Sequence, residues 1–233
     1  MANKPINKVH ASLIGARQIA LIANGAIHDY PFITRLLRTY ERYIAVDGGL
    51  IHCHQMHIRP HLIIGDFDSI PAELLHLYED VPLEKHSVDK DQSDMELAIV
   101  AGKIPTAEKI GMFGALEKRT DHTLGNLHLM CRDPHILTIE TERETLFAIP
   151  KHSKRIVACQ PGQTVSLIPL GDVTNVTTRG LKWELTAATL NCSWMSLSNV
   201  CLENTFEITI GQGHLICCLL RDEKQVPFIS TLQ

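Results

Sequence analysis

The chain has 233 residues, of which 45% are hydrophobic and 21% charged, and this balance excludes a disordered or fibrous protein. Its formal net charge of −4 offers no basic surface, so neither nucleic acid nor an anionic membrane is expected as a partner. No apolar run is long enough to cross a bilayer and the N-terminal residues contain no signal-peptide pattern, so we predict a cytoplasmic protein.

The first half of the chain alternates predicted strands and helices. An apolar strand over 19–23 ends at the turn signal Asn24-Gly25, and a helix over 31–40 follows. A second strand over 43–46 runs into Asp47-Gly48-Gly49, where glycines allow the backbone to come close to a ligand. A Gly-Gly pair alone is more often a plain turn. Its position at the end of a strand, where ligands bind in open α/β sheets, nevertheless favours the functional interpretation.

Two carboxylates stand at the end of the third predicted strand. The apolar residues 62–64 stop at Gly65, and Asp66 and Asp68 follow, so that on extended chain their side chains share one face. Two such charges repel each other unless they are well hydrated, one is protonated, or a cation lies between them. Ser69 to Pro71 are predicted to cap and open a helix over 71–78.

A further acidic cluster opens a later helix. After a short strand over 81–84 the chain supplies Asp89, Asp91 and Asp94, and with a helix predicted over 93–103 we place Asp91 and Asp94 on one helical face. Oxygen ligands without His or Cys suit a hard cation, Mg²⁺ before Ca²⁺ or Zn²⁺. The alternative is that these aspartates only form turns and helix caps, where Asp is common.

Charged residues also follow the next predicted strand, over 110–113. The loop before a helix over 123–131 contains Arg119, Asp121 and His122. Loops at the carboxyl ends of parallel strands meet at one edge of the sheet, so these residues and the aspartates are expected at one crevice. Arg119 either binds paired phosphate oxygens or forms a surface salt bridge with Glu117 or Asp121. His122, at the start of the helix, either helps to bind an anion or caps the helix.

Helical periodicity disappears from about Leu137, and short β-rich segments separated by turns indicate a small β-sandwich. We therefore predict an α/β N-terminal domain (1–150) with a mostly parallel sheet, followed by an all-β, sandwich-like C-terminal domain (151–233). The seven cysteines contain no C-x-x-C pair and are predicted to be reduced and buried. The β segments are predicted over 145–149, 155–159, 164–170, 173–178, 193–197, 206–210 and 214–220.

Several motifs, in order along the chain, resemble those of the thiamine pyrophosphokinase family. They are Asp47-Gly48-Gly49, Gly65 to Ser69, Asp89 to Asp94 and Arg119 to His122, and Gly180 to Trp183 and Ser196 to Asn199 resemble its thiamine-side motifs. The resemblance therefore covers most of the chain. One departure is the turn before Arg119, which is Gly-rich in the family and is Leu116-Glu117-Lys118 here.

The resemblance implies that the diphosphate of ATP is transferred to the hydroxyl of thiamine, giving thiamine diphosphate and AMP, with Mg²⁺ as cofactor. It also implies a homodimer in which the β domain of one subunit completes the other's site. We assign Asp66, Asp68 and Asp94 as metal ligands and catalytic residues, together with Arg119 and Asp121. The assigned nucleotide-binding residues are Asn24, Asp47, Gly48, Gly49, Asp89, Asp91, Arg119, His122 and Asn126, and the assigned thiamine-binding residues are Trp183, Ser196, Ser198 and Asn199.

Two other functions stay open from the sequence. Asp66-Phe67-Asp68-Ser69 after a strand superficially matches the aspartyl-nucleophile motif of a metal-dependent phosphohydrolase. A non-catalytic thiamine-binding protein is the other alternative. The only feature that suggests it is the altered turn at 116–118. A P-loop kinase is disfavoured because the chain contains no G-x-x-x-x-G-K-(S/T) segment.

Overall fold

The computed structural model describes residues 10–87, 89 and 91–221. The chain divides into two compact units between Asn126 and Leu127. The sequence predicts the change of architecture near Pro150, and the domain ranges 1–150 and 151–233 stay a prediction. No helix in the described part of the chain is long and apolar enough to span a membrane.

The first unit contains a parallel sheet in the order β5-β1-β2-β3-β4. Parallel neighbours need a crossover connection, and helices provide it between successive strands. Its elements are β1 (Gln18–Ile22), α1 (Tyr30–Leu37), β2 (Arg42–Val46), α2 (Gly49–Gln55), β3 (Leu62–Gly65), α3 (Ala72–His76), β4 (Leu83–Lys85), α4 (Asp94–Gly102), β5 (Lys109–Phe113) and the start of α5 (Thr120–Arg132).

This strand order decides where a ligand can bind. The chain moves outward from β1 through β4 and then returns to add β5 on the other side of β1. The loops after β1 and β5 therefore leave the sheet at a topological switch point, where open α/β sheets form their ligand crevice. All four residues of β3, and all but the first of β1 and of β5, are buried, as in a sheet covered on both faces.

The second unit contains two antiparallel sheets, in the orders β12-β9-β14-β7-β6 and β11-β10-β13-β8. Alternate residues of β9 and β13 are buried, and Val165, Leu167, Phe206 and Ile208 belong to one apolar core. The predicted fold class is confirmed. The strands are β6 (Leu137–Glu140), β7 (Glu144–Ile149), β8 (Ser153–Ala158), β9 (Thr164–Pro169), β10 (Val173–Arg179), β11 (Ala188–Leu190), β12 (Ser196–Val200), β13 (Thr205–Ile210) and β14 (Leu215–Leu220).

Two expectations, one for a strand of the second unit and one for the cysteines of the whole chain, are wrong in part. The strand predicted over 193–197 is replaced by β11 and β12, because Asn191 and Trp194 pair with each other and close a tight turn. All seven cysteines are free thiols, as expected, but Cys192 is exposed while the other six are buried. Burial raises the pKa of Cys53 to about 12, which keeps that thiol protonated and unreactive.

Candidate active site

Three carboxylates meet at the carboxyl ends of β2 and β3. Asp47, Asp66 and Asp68 each offer an oxygen, and these oxygens all lie within 4.8 Å of one another. Val46 at the end of β2 pairs with Ile64 of β3, and the backbone N–H of Asp47 donates to the Ile64 carbonyl at 2.8 Å. The parallel pairing of the two strands therefore brings Asp47 to the acidic turn that follows β3.

Asp66 and Asp68 converge through a turn. Phe67 between them has a left-handed backbone with φ 69°, and the Asp68 N–H donates to Oδ1 of Asp66 at 3.1 Å. The expected extended alternation is therefore wrong, although the two side chains do come together. Gly65 permits Asp47 to lie close to this turn, because a Cβ on residue 65 would lie only 3.0 Å from the Cβ of Asp47.

The electrostatics of this cluster fit a cation. The negative charge of Asp66, followed by that of Asp47, raises the pKa of Asp68 above its ordinary value. Oδ1 of Asp47 is buried and has no hydrogen-bond partner within the described ranges. A divalent cation would relieve both the repulsion and this unpaired oxygen, and a donor set of carboxylate oxygens suits Mg²⁺.

Ser69 belongs to this site, and the prediction that it caps a helix is wrong. Helix α3 begins at Ala72 behind Pro71 and has no side-chain cap. Instead, the Ser69 hydroxyl donates to Oδ2 of Asp47 at 2.5 Å, and the amide of Asn24 lies 3.5 Å from the same hydroxyl. These bonds link the loops after β1, β2 and β3. The signal in the sequence was the place of Ser69 within the Gly65 to Ser69 motif.

Asp94 is the first residue of α4 and is not one of the three clustered carboxylates. Its charge is the smallest contribution to the raised pKa of Asp68. Ser93 caps α4 in a reciprocal arrangement with Glu96, so Asp91 precedes the helix and the expected shared helical face is wrong. Asp89 and Asp91 are exposed. Metal binding by Asp94 and nucleotide binding by Asp89 and Asp91 stay predictions.

Arg119 forms a bidentate ion pair with Asp121. Its Nη2 and Nε atoms donate to the two carboxylate oxygens at 2.6 and 3.1 Å. This guanidinium bond lowers the pKa of Asp121 to about 2. Of the two salt bridges left open by the sequence, the structure contains this one, while Glu117 contacts His28 at 2.9 Å. The backbone N–H of His122 also donates to Asp121, and nucleotide binding by His122 stays a prediction.

Several predicted nucleotide-binding residues also hold the loops in place. Asn126 is buried and its amide donates to the Ala115 carbonyl at 2.6 Å, which anchors the loop between β5 and α5. A Cβ on Gly48 would lie 2.5 Å from the Ser69 hydroxyl, so only glycine leaves room for that hydrogen bond. Buried His52, which is not among the predicted site residues, has the same supporting role. Its ring nitrogens bond the Tyr30 hydroxyl and the Gly25 carbonyl, each at 2.8 Å, and so hold the loop after β1.

The predicted thiamine-side residues lie in the second unit. The Trp183 side chain, between β10 and β11, is 55% exposed, and the Lys182 ammonium lies 4.7 Å from the centre of its ring. Asn199 is buried and bonds both backbone groups of Trp183, at 3.1 and 2.7 Å, so it holds this tryptophan in place. On β12, Ser196 is partly exposed, and Ser198 is exposed with a left-handed backbone of φ 54°.

The chain is similar to known proteins over most of its length. A family model described as "Thiamin pyrophosphokinase, catalytic domain" matches residues 33–139, and one described as "Thiamin pyrophosphokinase, vitamin B1 binding domain" matches residues 148–215. The first range contains Asp47, Asp66, Asp68 and Arg119, and the second contains Trp183.

Individual relatives agree with these matches. The chain is 30% identical to thiamine pyrophosphokinase 1 of Oryza sativa subsp. japonica, over 66% of this chain and 64% of the rice protein, so it spans just under two thirds of that relative. It is 26% identical to thiamine pyrophosphokinase of Bacillus subtilis (strain 168), over 81% of this chain and 89% of that protein. A crystal structure of thiamin pyrophosphokinase from Geobacillus thermodenitrificans matches with a TM-score of 0.76 and 26% identity, over 88% of this chain and 98% of that one.

Proposed function

The chain belongs to the thiamine pyrophosphokinase family, and from this premise we propose that it transfers the diphosphate of ATP to the hydroxyl of thiamine, giving thiamine diphosphate and AMP. The observation that carries the proposal is the convergence of Asp47, Asp66 and Asp68 at the carboxyl edge of a parallel sheet. Transfer of this kind depends mainly on positioning and on neutralising phosphate charge.

Mg²⁺ is the proposed cofactor, held by Asp66 and Asp68 as predicted and also by Asp47. When bound, the ion would neutralise charge on phosphate oxygens. Ser69 fixes the Asp47 carboxylate through one oxygen and leaves the other, buried oxygen for the ion. Asp94 is the fourth candidate ligand. The contribution of these residues is to hold hard oxygen donors in one place, at the edge where the strands end.

Arg119 is the proposed cation for paired phosphate oxygens, because its planar guanidinium carries further N–H donors on Nη1 and Nη2 beside the two that bind Asp121. Asp121, with a pKa of about 2, is ionised at neutral pH and orients this guanidinium. Such a carboxylate is too weak a base to take the thiamine proton while it is paired. Asp121 is therefore proposed as a positioning residue for Arg119.

Trp183 is the proposed platform for thiamine. A flat heterocycle stacks on an aromatic face, and the positive thiazolium is attracted to it as the Lys182 ammonium already is. Ser196 and Ser198 offer polar groups to the aminopyrimidine. Asn199 is proposed to act through Trp183, since its two bonds join β12 to the backbone of that residue.

Incubation of the purified protein with Mg·ATP, with and without thiamine, tests the proposal. We expect AMP and thiamine diphosphate in equal amounts, and only when thiamine is present; chromatography of the products measures both. Inorganic phosphate released without an acceptor would favour a phosphohydrolase. Tight thiamine binding without AMP formation would favour the non-catalytic binding protein.

Trp183→Ala is expected to raise the KM for thiamine roughly tenfold, because it removes the stacking and cation–π face. The KM for Mg·ATP should stay unchanged, and steady-state kinetics with each substrate varied in turn measures both constants. Leu77→Ala is the control, since Leu77 is another large apolar side chain that is more than half exposed, but it lies at the end of α3 and belongs neither to the predicted thiamine residues nor to the proposed interface. An unchanged thiamine KM in Trp183→Ala would contradict the assignment.

We also propose a homodimer. Five large apolar side chains of the second unit are each more than half exposed, which favours an interface: Ile156, Trp183, Trp194, Leu197 and Leu202. Sedimentation equilibrium should give twice the 26.0 kDa chain mass. The cytoplasmic location stays a prediction.

A further inference from the structure

Lys118 lies in the turn between β5 and α5, directly before Arg119. Glu117 and Lys118 both have left-handed backbones, with φ 63° and 58°, a conformation that two consecutive residues with a Cβ rarely adopt. Backbone bonds from Gly25 to the Gly114 carbonyl, at 2.7 Å, and from Ala26 to the Leu116 carbonyl, at 3.3 Å, tie this loop to the end of β1. The turn is therefore held at the topological switch point of the sheet.

The turn connects the Lys118 ammonium with the acidic cluster through the side chains of Asn24 and Ser69. Its Nζ atom donates to Oδ1 of Asn24 at 3.1 Å. The amide of Asn24 in turn lies 3.5 Å from the Ser69 hydroxyl, which donates to Asp47 at 2.5 Å. A short series of hydrogen bonds thus connects a lysine with the carboxylates that fit Mg²⁺. Glu117 is directed elsewhere, to His28 at 2.9 Å.

The two neighbouring cations differ in their partners. Arg119 is bound by a carboxylate through two bonds, whereas the hydrogen-bond partner of Lys118 is a neutral amide oxygen. A phosphate that replaced Asp121 at Arg119 would have to break an ion pair. A phosphate that replaced the Asn24 oxygen at Lys118 would exchange a neutral hydrogen bond for a charge-assisted one, which is about twice as strong.

We propose that Lys118 is a phosphate-binding residue, whose ammonium contacts the triphosphate of the nucleotide next to the metal cluster. The identity of the nucleotide as ATP rests on the proposed function, but the contact itself requires only a polyphosphate at the cluster. Lysine suits this position, because a compact charge on a flexible stem follows phosphate oxygens without a fixed fork. The unfavourable left-handed backbone is then explained by where it places the side chain.

Titration calorimetry with Mg²⁺ and α,β-methylene ATP, in the absence of thiamine, tests the proposal without turnover. We expect Lys118→Ala to raise Kd about tenfold, equivalent to about 1.4 kcal/mol, and Lys118→Arg to stay within about threefold of the wild type. Lys151→Ala, which removes an exposed lysine in a turn of the second unit, should leave Kd unchanged. The Lys118→Ala defect should shrink as NaCl is raised, because salt screens an exposed charge.

The Lys118→Gly variant distinguishes a loss of nucleotide binding from a loss of folding. Glycine accepts the left-handed backbone, so this variant should keep the Tm of the wild type while weakening nucleotide binding as much as Lys118→Ala. A Kd for the analogue within twofold of the wild-type value in both Lys118→Ala and Lys118→Gly would overturn the proposal. So would an increase in Kd that does not depend on salt. A wild-type protein that binds no analogue would also overturn it. If wild type forms no AMP with thiamine but Lys118 still governs binding, the proposed function fails and this inference stands.

Discussion

Asp68→Asn is expected to lower the rate of thiamine diphosphate formation by roughly three orders of magnitude, and to raise the Tm of the metal-free protein. The loss of rate follows because the variant removes one of three clustered oxygen ligands, and stabilisation of phosphoryl charge by a metal ion is worth several kcal/mol. The gain in Tm follows because Asp66 and Asp47 repel the Asp68 carboxylate, which raises its pKa. An uncharged amide of the same shape removes that repulsion.

The pH dependence of this Tm difference has a defined sign. A carboxyl whose pKa is higher in the folded than in the unfolded protein binds its proton more tightly when folded. The metal-free wild type therefore gains stability from this group as the pH falls through the raised pKa, and loses that stability above it. Since Asn cannot titrate, the Tm advantage of Asp68→Asn should be full at neutral pH and vanish below about pH 3.9, the ordinary value.

Added MgCl₂ provides the complementary measurement, by differential scanning calorimetry. The wild type should gain Tm with MgCl₂, because binding to the folded state stabilises it, and Asp68→Asn should gain much less. Asp172→Asn, which removes an exposed aspartate in a turn of the second unit, is the control and should behave like the wild type. A full Mg²⁺-dependent shift in Asp68→Asn would show that the cluster does not hold the ion.

Gly49→Ala is expected to prevent folding, or to lower the free energy of unfolding by more than about 4 kcal/mol. A Cβ at Gly49 would lie 1.8 Å from the carbonyl oxygen of Ile22 and 2.6 Å from its carbonyl carbon. Both are backbone atoms at the end of β1, so no change of rotamer relieves the clash. Because Gly49 begins α2 directly after the Asp47-Gly48 turn, the damage would also reach the acidic cluster.

Gly125→Ala is the matched control for this prediction. Gly125 lies on the exposed side of α5, and a Cβ there would meet nothing within 4 Å. Alanine is the better helix former, so we expect this variant to gain roughly 0.5–1 kcal/mol. Urea unfolding followed by circular dichroism measures both variants. A Gly49→Ala protein within about 1 kcal/mol of the wild type would contradict the close approach of α2 and β1.

The features that the sequence predicted correctly are local. Apolar runs that end in turn residues identify β1, β2, β3 and β5, because a buried parallel strand needs side chains that are apolar on both faces. The change to short strands after Leu137 follows from the same periodicity. Aspartates at strand ends were recognisable as site candidates, since parallel strands deliver their carboxyl ends to one edge. The β11 strand was missed because three residues are too few to carry a pattern.

Which side chains meet depended on the tertiary structure. The sequence suggested Asp94 as the third ligand, but the pairing of β2 with β3 brings Asp47 to Asp66 and Asp68. Ser69 was expected to cap a helix, and its hydroxyl is instead used by an aspartate 22 residues away in the chain.

The sequence by itself therefore determined the two architectures and the sheet edge that carries the aspartates, because periodicity and turn residues act between near neighbours. The tertiary structure alone decided the third carboxylate of the cluster, the partner of the Ser69 hydroxyl and the position of the Lys118 ammonium. Those contacts join loops that are distant in the chain, and they depend on strand order and on single left-handed residues such as Phe67 and Lys118. No local pattern encodes either.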